Sequence, residues 1–461
     1  MRSAILACLL VMGLWIPACD SPHRRPPVDA DADADADAEA PDADVPDNGD
    51  VVDVPDFDIP DGWPARDECK PQPTHGLEIG GNPFFFSVPH TWSGISIALT
   101  EYGHLLSDIG RSCTPVNGYN AWGQDLYSYD LVQRVEESLV MIPAPQFHPN
   151  EYNGRIFYSN SYVDYQPAST KNPWEGNPNI WVLENGIPQV YTTWCPSDYG
   201  CVDSQISKAG KMVYFEYDPD ASPLLVRMMF HDLNTLETRL IDDQHETPMV
   251  FDIGDRAVFW NYGPCDAFRY YDIERDLIVE NPAYSVFAAK AWGKYLAWGN
   301  CSPIGQYVMD VETGVVRILD EELNLDPETR YAIHTGYENL VAAVDQSREV
   351  PEPGKAAHLW LYDLDTRVER RITSEPAKWT WGGYKIINCE WAIVSLQYAK
   401  DENWVITYLG AALNLQQAGI LDENCHIIPG PPLEFTLEEF ITASGFTDRK
   451  STRLNSSHGK L

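Results

Sequence analysis

The 461-residue sequence is poor in basic residues. It has 32 Lys and Arg against 69 Asp and Glu, which gives a formal net charge of −37 at pH 7. Proteins that bind nucleic acid neutralise its phosphates with clustered Lys and Arg. The charge therefore excludes nucleic acid from the expected partners. The apolar fraction of 44% is ordinary for a globular chain, so the sequence has enough apolar surface for a sizeable core.

The sequence also lacks the short motifs that identify common catalytic sites. It contains no G-x-S-x-G nucleophile elbow, no H-E-x-x-H zinc motif and no phosphate-binding P-loop. Its cysteines form no C-x-x-C pair, and its histidines are scattered without metal-ligand spacing. We therefore predict no metal site and no cofactor, and the sequence alone identifies no catalytic residue.

The apolar run at the N-terminus is too short to span a bilayer. It follows Arg2 and covers thirteen residues, 4–16, which is typical of an export signal. The run ends in I-P-A-C at Cys19, which resembles the lipobox of bacterial lipoproteins. The resemblance implies a signal peptide of residues 1–18, acylation of Cys19 and a lipid-anchored location in the bacterial cell envelope, at the outer membrane on its periplasmic or surface face. The alternative is an ordinary signal peptide that leaves Cys19 free.

An acidic segment follows Cys19 and extends to residue 65. Fifteen acids lie between Asp20 and Asp61, with only Arg24 and Arg25 opposing them. Such a segment buries too little apolar surface to offset its chain entropy, so we expect a disordered tether over residues 19–65. Calcium binding is the alternative, but alternating aspartates need a glycine turn and a later bidentate acid. Alanine follows each of the alternating aspartates, which are Asp31, Asp33, Asp35 and Asp37.

Eight of the ten cysteines lie beyond the predicted signal peptide and lipidation site. An even number of cysteines in an exported chain favours disulfide bonds over metal ligation. Eight cysteines allow on the order of a hundred pairings. We take chain order as the guide to pairing. The expected pairs are Cys69–Cys113, Cys195–Cys201, Cys265–Cys301 and Cys389–Cys425.

Six stretches share one pattern: an apolar or aromatic run, a polar turn and a second β-prone run. The pattern predicts β-hairpins, spaced about 38 to 54 residues apart. Five of the six have an aspartate at an equivalent place. The stretches start at Asp125, Asn179, Arg227, Phe268, Gln306 and His358, and the aspartates are Asp130, Asp232, Asp272, Asp310 and Asp363.

A further strand, usually led by glycine, precedes most hairpins, so the repeating unit has about four strands. Repeats of this kind predict an all-β chain with a β-propeller of four-stranded blades over residues 66–447. Seven blades is the preferred count, and six is the alternative. We expect Phe84–Val88 and Ile95–Gly103 to supply early strands of the first blade. Helical periodicity is nearly absent, apart from L-E-E-F-I-T-A at Leu437–Ala443.

The hairpin from His358, H-L-W-L-Y-D-L-D-T-R-V-E-R-R-I-T, is similar to the repeat of TolB-type, WD40-like propellers. In that repeat an aromatic-aliphatic strand, an Asp-Leu-Asp turn and a basic R-R-I-T or R-R-L-T ending recur. The stretches from Arg227 and Gln306 match it less completely, and the one from Asn179 lacks the aspartate. The resemblance covers residues 113–373 and implies a propeller fold. It implies no particular activity, because one propeller scaffold hosts many functions.

Four of the fifteen tryptophans stand beside turn residues rather than inside predicted strands. Exposed loop aromatics stack on sugar rings or fill peptide pockets. The alternative is that they plug the joints between blades. The four are Trp122, Trp174, Trp379 and Trp381.

These features together favour a lipid-anchored envelope protein whose propeller binds or scaffolds a protein or polysaccharide partner. A second hypothesis is a propeller-type hydrolase or lyase that acts on glycans through carboxylates in the central funnel. A third is the propeller of a peptidase whose catalytic domain would follow it. Converging charged residues at one mouth of the funnel would favour an enzyme, and an aromatic face would favour binding.

The C-terminal residues 448–461 differ from the acidic chain before them. They carry Arg449, Lys450, Arg453 and Lys460 against Asp448. The string D-R-K-S-T-R-L-N-S-S-H looks like the translation of a widely used sequencing adapter. We therefore expect this tail to be non-native and exclude it from the fold.

We expect the gene in an intact genome to encode a different sequence from residue 448 onward. Amplification and sequencing of the genomic locus across this codon checks the expectation. Recovery of the same codons from genomic DNA would show that the tail is native.

Overall fold

Every residue that the structure describes lies in one compact unit of the chain, within Val54–Leu461. The predicted signal peptide, tether and C-terminal tail lie outside the described residues, as do Cys69 and Cys113. The computed structural model describes residues 76–88, 97–110, 124–140, 146–160, 179–195, 200–218, 225–244, 250–263, 265–301, 304–323, 329–347, 358–373, 383–399 and 406–443.

The described residues form antiparallel sheets with two short helices, so the all-β fold with four-stranded blades is confirmed. An N-terminal hairpin consists of β1 (Glu78–Ile79) and β2 (Asn82–Val88). Three four-stranded sheets of consecutive strands follow it. They consist of β3 (Ile97–Leu99), β4 (His104–Gly110), β5 (Gln124–Asp130) and β6 (Val135–Val140); β7 (Gln146–Tyr152), β8 (Arg155–Asn160), β9 (Asn179–Glu184) and β10 (Ile187–Val190); and β11 (Gly200–Ile206), β12 (Lys211–Asp218), β13 (Leu225–Asp232) and β14 (Thr238–Gln244).

The second half of the fold begins with a seven-stranded sheet and ends with a sheet that includes the N-terminal hairpin. The seven strands are β15 (Val250–Ile253), β16 (Ala257–Asn261), β17 (Asp266–Asp272), β18 (Leu277–Trp292), β19 (Tyr295–Cys301), β20 (Ile304–Asp310) and β21 (Val316–Ile318). The remaining elements are helix α1 (Leu319–Glu322), β22 (Thr329–Tyr337), β23 (Leu340–Ser347), β24 (Leu359–Asp363), β25 (Glu369–Arg371), β26 (Gly383–Ile387), β27 (Trp391–Ala399), β28 (Ile406–Asn414) and helix α2 (Leu437–Ala443), the helix expected from the sequence.

The expectation of seven separate blades is wrong, because the described strands form five sheets of blade size, with four or five strands each, and one larger sheet of seven strands. The physical reason is the sixteen-residue strand β18. It pairs with β17 through its first part, up to Val286, and with β19 through Val286–Trp292. The ladder therefore continues from one set of strands into the next, and the two sets form one continuous sheet.

The first strand of each sheet contacts the first strand of the next, and the second part of β18 takes the same role within the large sheet. We call these segments the inner strands: β3, β7, β11, β15, residues 286–292 of β18, β22 and β26. The contact of β26 with β3 closes the ring. Strand β2 completes the last sheet by pairing with β28. Phe84–Val88 therefore belongs to the closing sheet and not to the first one, which corrects the expectation, whereas Ile97–Leu99 does begin the first sheet.

The core lies between the sheets. All five residues of β16 are buried, and so are six of the seven residues of β19. Such strands read as continuous apolar runs because neighbouring sheets cover both of their faces. Val213 and Phe215 of one sheet, for example, pack in one cluster with Val258 and Trp260 of the next.

Each of the five predicted turn aspartates ends a strand and accepts hydrogen bonds from backbone N–H groups of the following turn. Asp310 Oδ1 accepts two of them, at 2.9 and 3.1 Å. In two of the five, a lysine at or just before the start of the neighbouring strand binds the other carboxylate oxygen: Lys211 Nζ lies 2.6 Å from Asp232 Oδ2, and Lys294 Nζ lies 2.9 Å from Asp310 Oδ2. Burial opposes ionisation of Asp232, but Lys211 and the turn N–H groups outweigh it and lower the pKa of Asp232 below its ordinary value.

The arginine of the repeated hairpin ending joins one sheet to the next. Arg239 Nη1 and Arg317 Nη2 each donate to a tyrosine of the following sheet, the Oη of Tyr271 and of Tyr362, both at 3.1 Å. The buried Arg370 donates instead to three backbone carbonyls of the C-terminal segment, at 2.6, 2.7 and 3.1 Å. The recurring basic residue of the sequence repeat therefore has a structural role between sheets.

Three of the four disulfides expected from chain order are present in the described residues. Cys265–Cys301 joins the residue directly before β17 to the last residue of β19, and Cys389–Cys425 joins the β26–β27 turn to the C-terminal segment. Neither helix of the described residues is long and apolar enough to cross a membrane. The three disulfides are Cys195–Cys201, Cys265–Cys301 and Cys389–Cys425.

We expect Asp232→Ala to lower the free energy of unfolding by about 2 kcal/mol, because it removes the acceptor of the turn and the carboxylate that pairs with Lys211. Folding lowers the pKa of Asp232, so its carboxylate adds to the free energy of unfolding above the unfolded pKa of about 3.9. This contribution is lost as the pH falls through the folded pKa. Urea denaturation between about pH 7 and pH 2.5 measures both effects. Equal stability of Asp232→Ala and of the exposed-site control Glu423→Ala would contradict this role.

Candidate functional site

Two neighbouring inner strands carry the same strained feature. His148 on β7 has φ +55°, and Asp203 on β11 has φ +57°. Each lies at a register shift with the adjacent strand of its sheet. A bulge redirects a side chain, and a non-glycine residue with positive φ costs about 1–3 kcal/mol and is concentrated at functional sites. The repetition on adjacent strands makes this part of the ring the candidate site.

The two strained side chains contact each other. His148 Nδ1 lies 2.6 Å from Asp203 Oδ1, and the two side chains are 26% and 30% exposed. Burial lowers the pKa of His148, but the charge and hydrogen bond of Asp203, with a contribution from Asp108, outweigh burial and raise that pKa above its ordinary value. The imidazole therefore stays protonated to a higher pH than that of a histidine in water.

Hydrogen bonds from the surrounding strands hold both bulges in place. Asn150 Nδ2 donates to the backbone carbonyl of Ser204 at 2.7 Å and to that of His148 at 3.0 Å. The N–H of Asp203 donates to Ser159 Oγ at 2.9 Å. The strained backbone is therefore fixed by its neighbours, as a preorganised binding site requires.

A second charged pair lies on the next two inner strands. Asp252 Oδ2 on β15 accepts from the N–H of Ala291 on β18 at 3.1 Å, and Lys290 Nζ lies 4.0 Å from the same oxygen. Burial raises the pKa of Asp252, and Lys290 and two backbone N–H groups oppose this only in part. Four consecutive inner strands therefore carry titratable groups of both signs.

One end of the ring is bridged by side chains from opposite sheets. Lys208, in the turn between β11 and β12, donates to Glu338 Oε1 at 2.7 Å and to Tyr337 Oη at 3.0 Å. Tyr337 and Glu338 lie at the β22–β23 turn. Along the ring, the seven-stranded sheet separates the sheet of β22 from the sheet of β11. The contact therefore reaches across the axis at this end.

The site offers a histidine, carboxylates and an ammonium group within a polar inner surface. Such groups bind hydroxyl, amide and ammonium groups of a polar ligand. Within the part of the chain that the structure describes, no three His, Cys, Asp or Glu residues are arranged to hold a metal ion.

None of the candidate site residues from the sequence is among the described residues of this site. The ligand-stacking role of the four loop tryptophans stays a prediction, as does the acylation of Cys19, because these residues lie outside the described ranges. The tryptophans are Trp122, Trp174, Trp379 and Trp381.

The sequence reading did not single out His148 or Asp203. One signal was available for His148, because Pro149 follows it inside a β-prone stretch and a proline there marks a bulge or an edge strand. Asp203 carries no comparable signal. Its pairing with His148, which lies 55 positions earlier in the chain, depends on the contact of the inner strands β7 and β11, and that contact is a long-range property of the closed ring.

No family model and no curated protein matches the sequence. Solved structures with a similar fold include an oligogalacturonate lyase in complex with manganese, 14% identical with a TM-score of 0.43 over 74% of this chain and 91% of that chain. An acylaminoacyl peptidase from Pyrococcus horikoshii is 11% identical with a TM-score of 0.45 over 66% of this chain and 49% of that chain. The β-propeller domain of the Trilobed protease from Pyrococcus furiosus is 11% identical with a TM-score of 0.31 over 58% of this chain and 95% of that chain. Likeness at these levels carries no argument about activity.

We expect Asp203→Asn to lower the pKa of His148, because the opposing charge is removed while burial remains. NMR titration of the imidazole resonances, assigned with His148→Gln, measures this pKa. Since the folded pKa of His148 is raised, its contribution to stability is present below the unfolded pKa of about 6.5 and is lost as pH rises through the folded pKa. Asp203→Asn should abolish that pH dependence, and the exposed-site variant Glu423→Gln should retain it. An unchanged His148 pKa in Asp203→Asn would rule out the ion pair.

Proposed function

We propose that this protein is a cell-envelope lipoprotein whose propeller binds a polar partner at its inner strands. The observation that carries the proposal is the strained, hydrogen-bonded pair of His148 and Asp203 on adjacent inner strands. Strained non-glycine residues of this kind cluster at active sites, ligand clamps and switch regions. The acyl chains on Cys19 would hold the propeller at a membrane, and the acidic tether would hold it away from the lipid surface.

The charge of the chain narrows the chemistry of the partner. Residues 62–447 contain 25 Lys and Arg against 53 Asp and Glu. A field of this sign repels polyanions and attracts cations. We therefore propose a neutral or cationic partner, such as a neutral envelope glycan or a basic segment of an envelope protein. The acidic field argues against nucleic acid and acidic polysaccharides.

A glycan hydrolase or lyase is the second candidate, and the same pair favours it. A carboxylate that is hydrogen-bonded to Nδ1 of a histidine fixes the orientation of the imidazole, an arrangement that general acid–base catalysis uses. The raised pKa of His148 suits a proton donor near neutral pH. Asp203 would then position His148, and the substrate would be a neutral glycan for the reason given above.

Binding and turnover are separable in one experiment. Full-length Cys19→Ser protein, which cannot be acylated, is incubated with envelope proteins and with solubilised neutral wall glycans. We expect the protein to retain a partner without altering it, and we expect Asp203→Asn to retain at least tenfold less, because the preorganised pair is lost. Glu423→Gln is the matched control for loss of one carboxylate charge.

The outcomes distinguish the two candidates. Cleavage of a glycan by the wild type, lost in Asp203→Asn, would replace the binding proposal with the enzyme. Retention that is equal in Asp203→Asn and Glu423→Gln would contradict both, because each candidate depends on the inner-strand pair.

A further inference from the structure

An exposed tryptophan is fixed between the sheet β7–β10 and the sheet β11–β14. Trp194 lies in the segment after β10 and directly precedes Cys195, whose disulfide to Cys201 ties the segment to β11. The residue is 41% exposed, whereas Trp260 and Trp298 within strands are 0% and 1% exposed. The disulfide ties down the segment that carries this large aromatic ring, so the ring is held at a defined place on the surface.

Contacts on the inner side hold the indole in a single orientation. It stacks on the imidazole of His231 with a centroid distance of 4.9 Å and an interplanar angle of 28°, and it meets the ring of Tyr191 edge-on at 5.4 Å. Trp194 Nε1–H donates to Tyr214 Oη at 3.1 Å, and Tyr214 Oη–H donates to Glu216 Oε1 at 3.3 Å. The polar edge of the indole is therefore satisfied from within, and what it offers to solvent is its apolar face.

The ring beneath the indole is neutral. His231 is hydrogen-bonded at both nitrogens, to Tyr191 Oη at 3.0 Å and to Thr238 Oγ1 at 2.8 Å. Burial lowers the pKa of His231 to about 4, and the nearby charge of Asp232 opposes this only in part. A protonated imidazole would attract anions to this surface. The neutral one leaves the aromatic face of Trp194 as the recognition element.

We propose that Trp194 is a stacking platform for a neutral sugar ring of a glycan chain. One face of a pyranose is apolar and packs against an aromatic plane. A side chain that is already immobilised loses little conformational entropy on binding. Nucleobases and acidic sugars also stack, but the excess of 53 acids over 25 bases in residues 62–447 repels polyanions. A neutral glycan has the stacking face and lacks the repelled charge.

This site goes beyond the proposed function, because it lies at the joint between two sheets and makes no use of His148 or Asp203. It also supplies a described tryptophan in the role that the sequence assigned to loop tryptophans elsewhere. A local signal for it is visible in the sequence, because Trp194 directly precedes Cys195, whose disulfide partner Cys201 lies six positions later. That signal did not show which face of the indole would be covered.

The test measures binding of neutral tetrasaccharides, of N-acetylglucosamine and of glucose, to the full-length Cys19→Ser protein by calorimetry. We expect binding of at least one of them, weakened tenfold or more by Trp194→Ala and by less than about threefold by Trp194→Phe, which keeps an aromatic face. Ile187→Ala removes an exposed apolar side chain from the preceding strand and should leave binding unchanged. Absence of wild-type binding to every tetrasaccharide would overturn the proposal.

A second measurement avoids the risk that Trp194→Ala disturbs the joint beneath it. The wild type is oxidised with N-bromosuccinimide in the presence and absence of the bound tetrasaccharide, and each tryptophan is read by peptide mass spectrometry. We expect the sugar to slow oxidation of Trp194 at least fivefold. Equal oxidation of Trp194 in both conditions would overturn the proposal. Loss of sugar binding in Asp203→Asn but not in Trp194→Ala would place the sugar at the inner strands instead.

Discussion

A sheet whose central strands are apolar on both faces cannot bury both faces by itself, and this constraint organises the whole fold. β16 and β19 are the clearest cases, because nearly every residue in them is buried. Each sheet must lie between two others, and a ring of sheets is the arrangement that leaves none with an uncovered face. The pairing of β2 with β28 completes the last sheet, and the contact of β26 with β3 closes the ring. The inner strands, and with them the candidate site, exist because the ring closes.

Several of the few basic residues make contacts that hold the fold together. Lys211 and Lys294 bind turn aspartates, Arg239 and Arg317 join sheets through tyrosines, and Arg370 holds the C-terminal segment. These cations are used within and between the sheets. The sequence has 69 Asp and Glu against 32 Lys and Arg, so these five cations leave a large excess of acidic residues and a negative field around the protein.

Local features of the fold were predictable from the sequence. The hairpins, the turn aspartates and the helix at Leu437–Ala443 depend on neighbours in the chain, and their patterns are legible there. The three described disulfides followed from chain order. Features that depend on distant pairing were not predictable. The continuous strand β18 altered the blade count, and Phe84–Val88 joined the last sheet, because strand register and ring closure are decided by long-range contacts.

The candidate site was the least predictable part for the same reason. A bulge is a local event, but the contact of His148 with Asp203 requires two inner strands to lie side by side. Trp194 illustrates the complementary case, because its position beside Cys195 is visible in the sequence and its stacking on His231 is not. In both cases residue type gives the chemistry, and the neighbouring sheet gives the geometry.

The central claim is that the partner binds where His148 and Asp203 meet. NMR of the imidazole resonances during addition of the retained envelope partner tests this claim most directly. His426 is the internal reference, because it lies in the C-terminal segment and is paired with Asp363 at the end of β24. The account predicts that the His148 resonances shift in a saturable manner while those of His426 stay in place. Saturable binding that leaves the His148 resonances unchanged would contradict it.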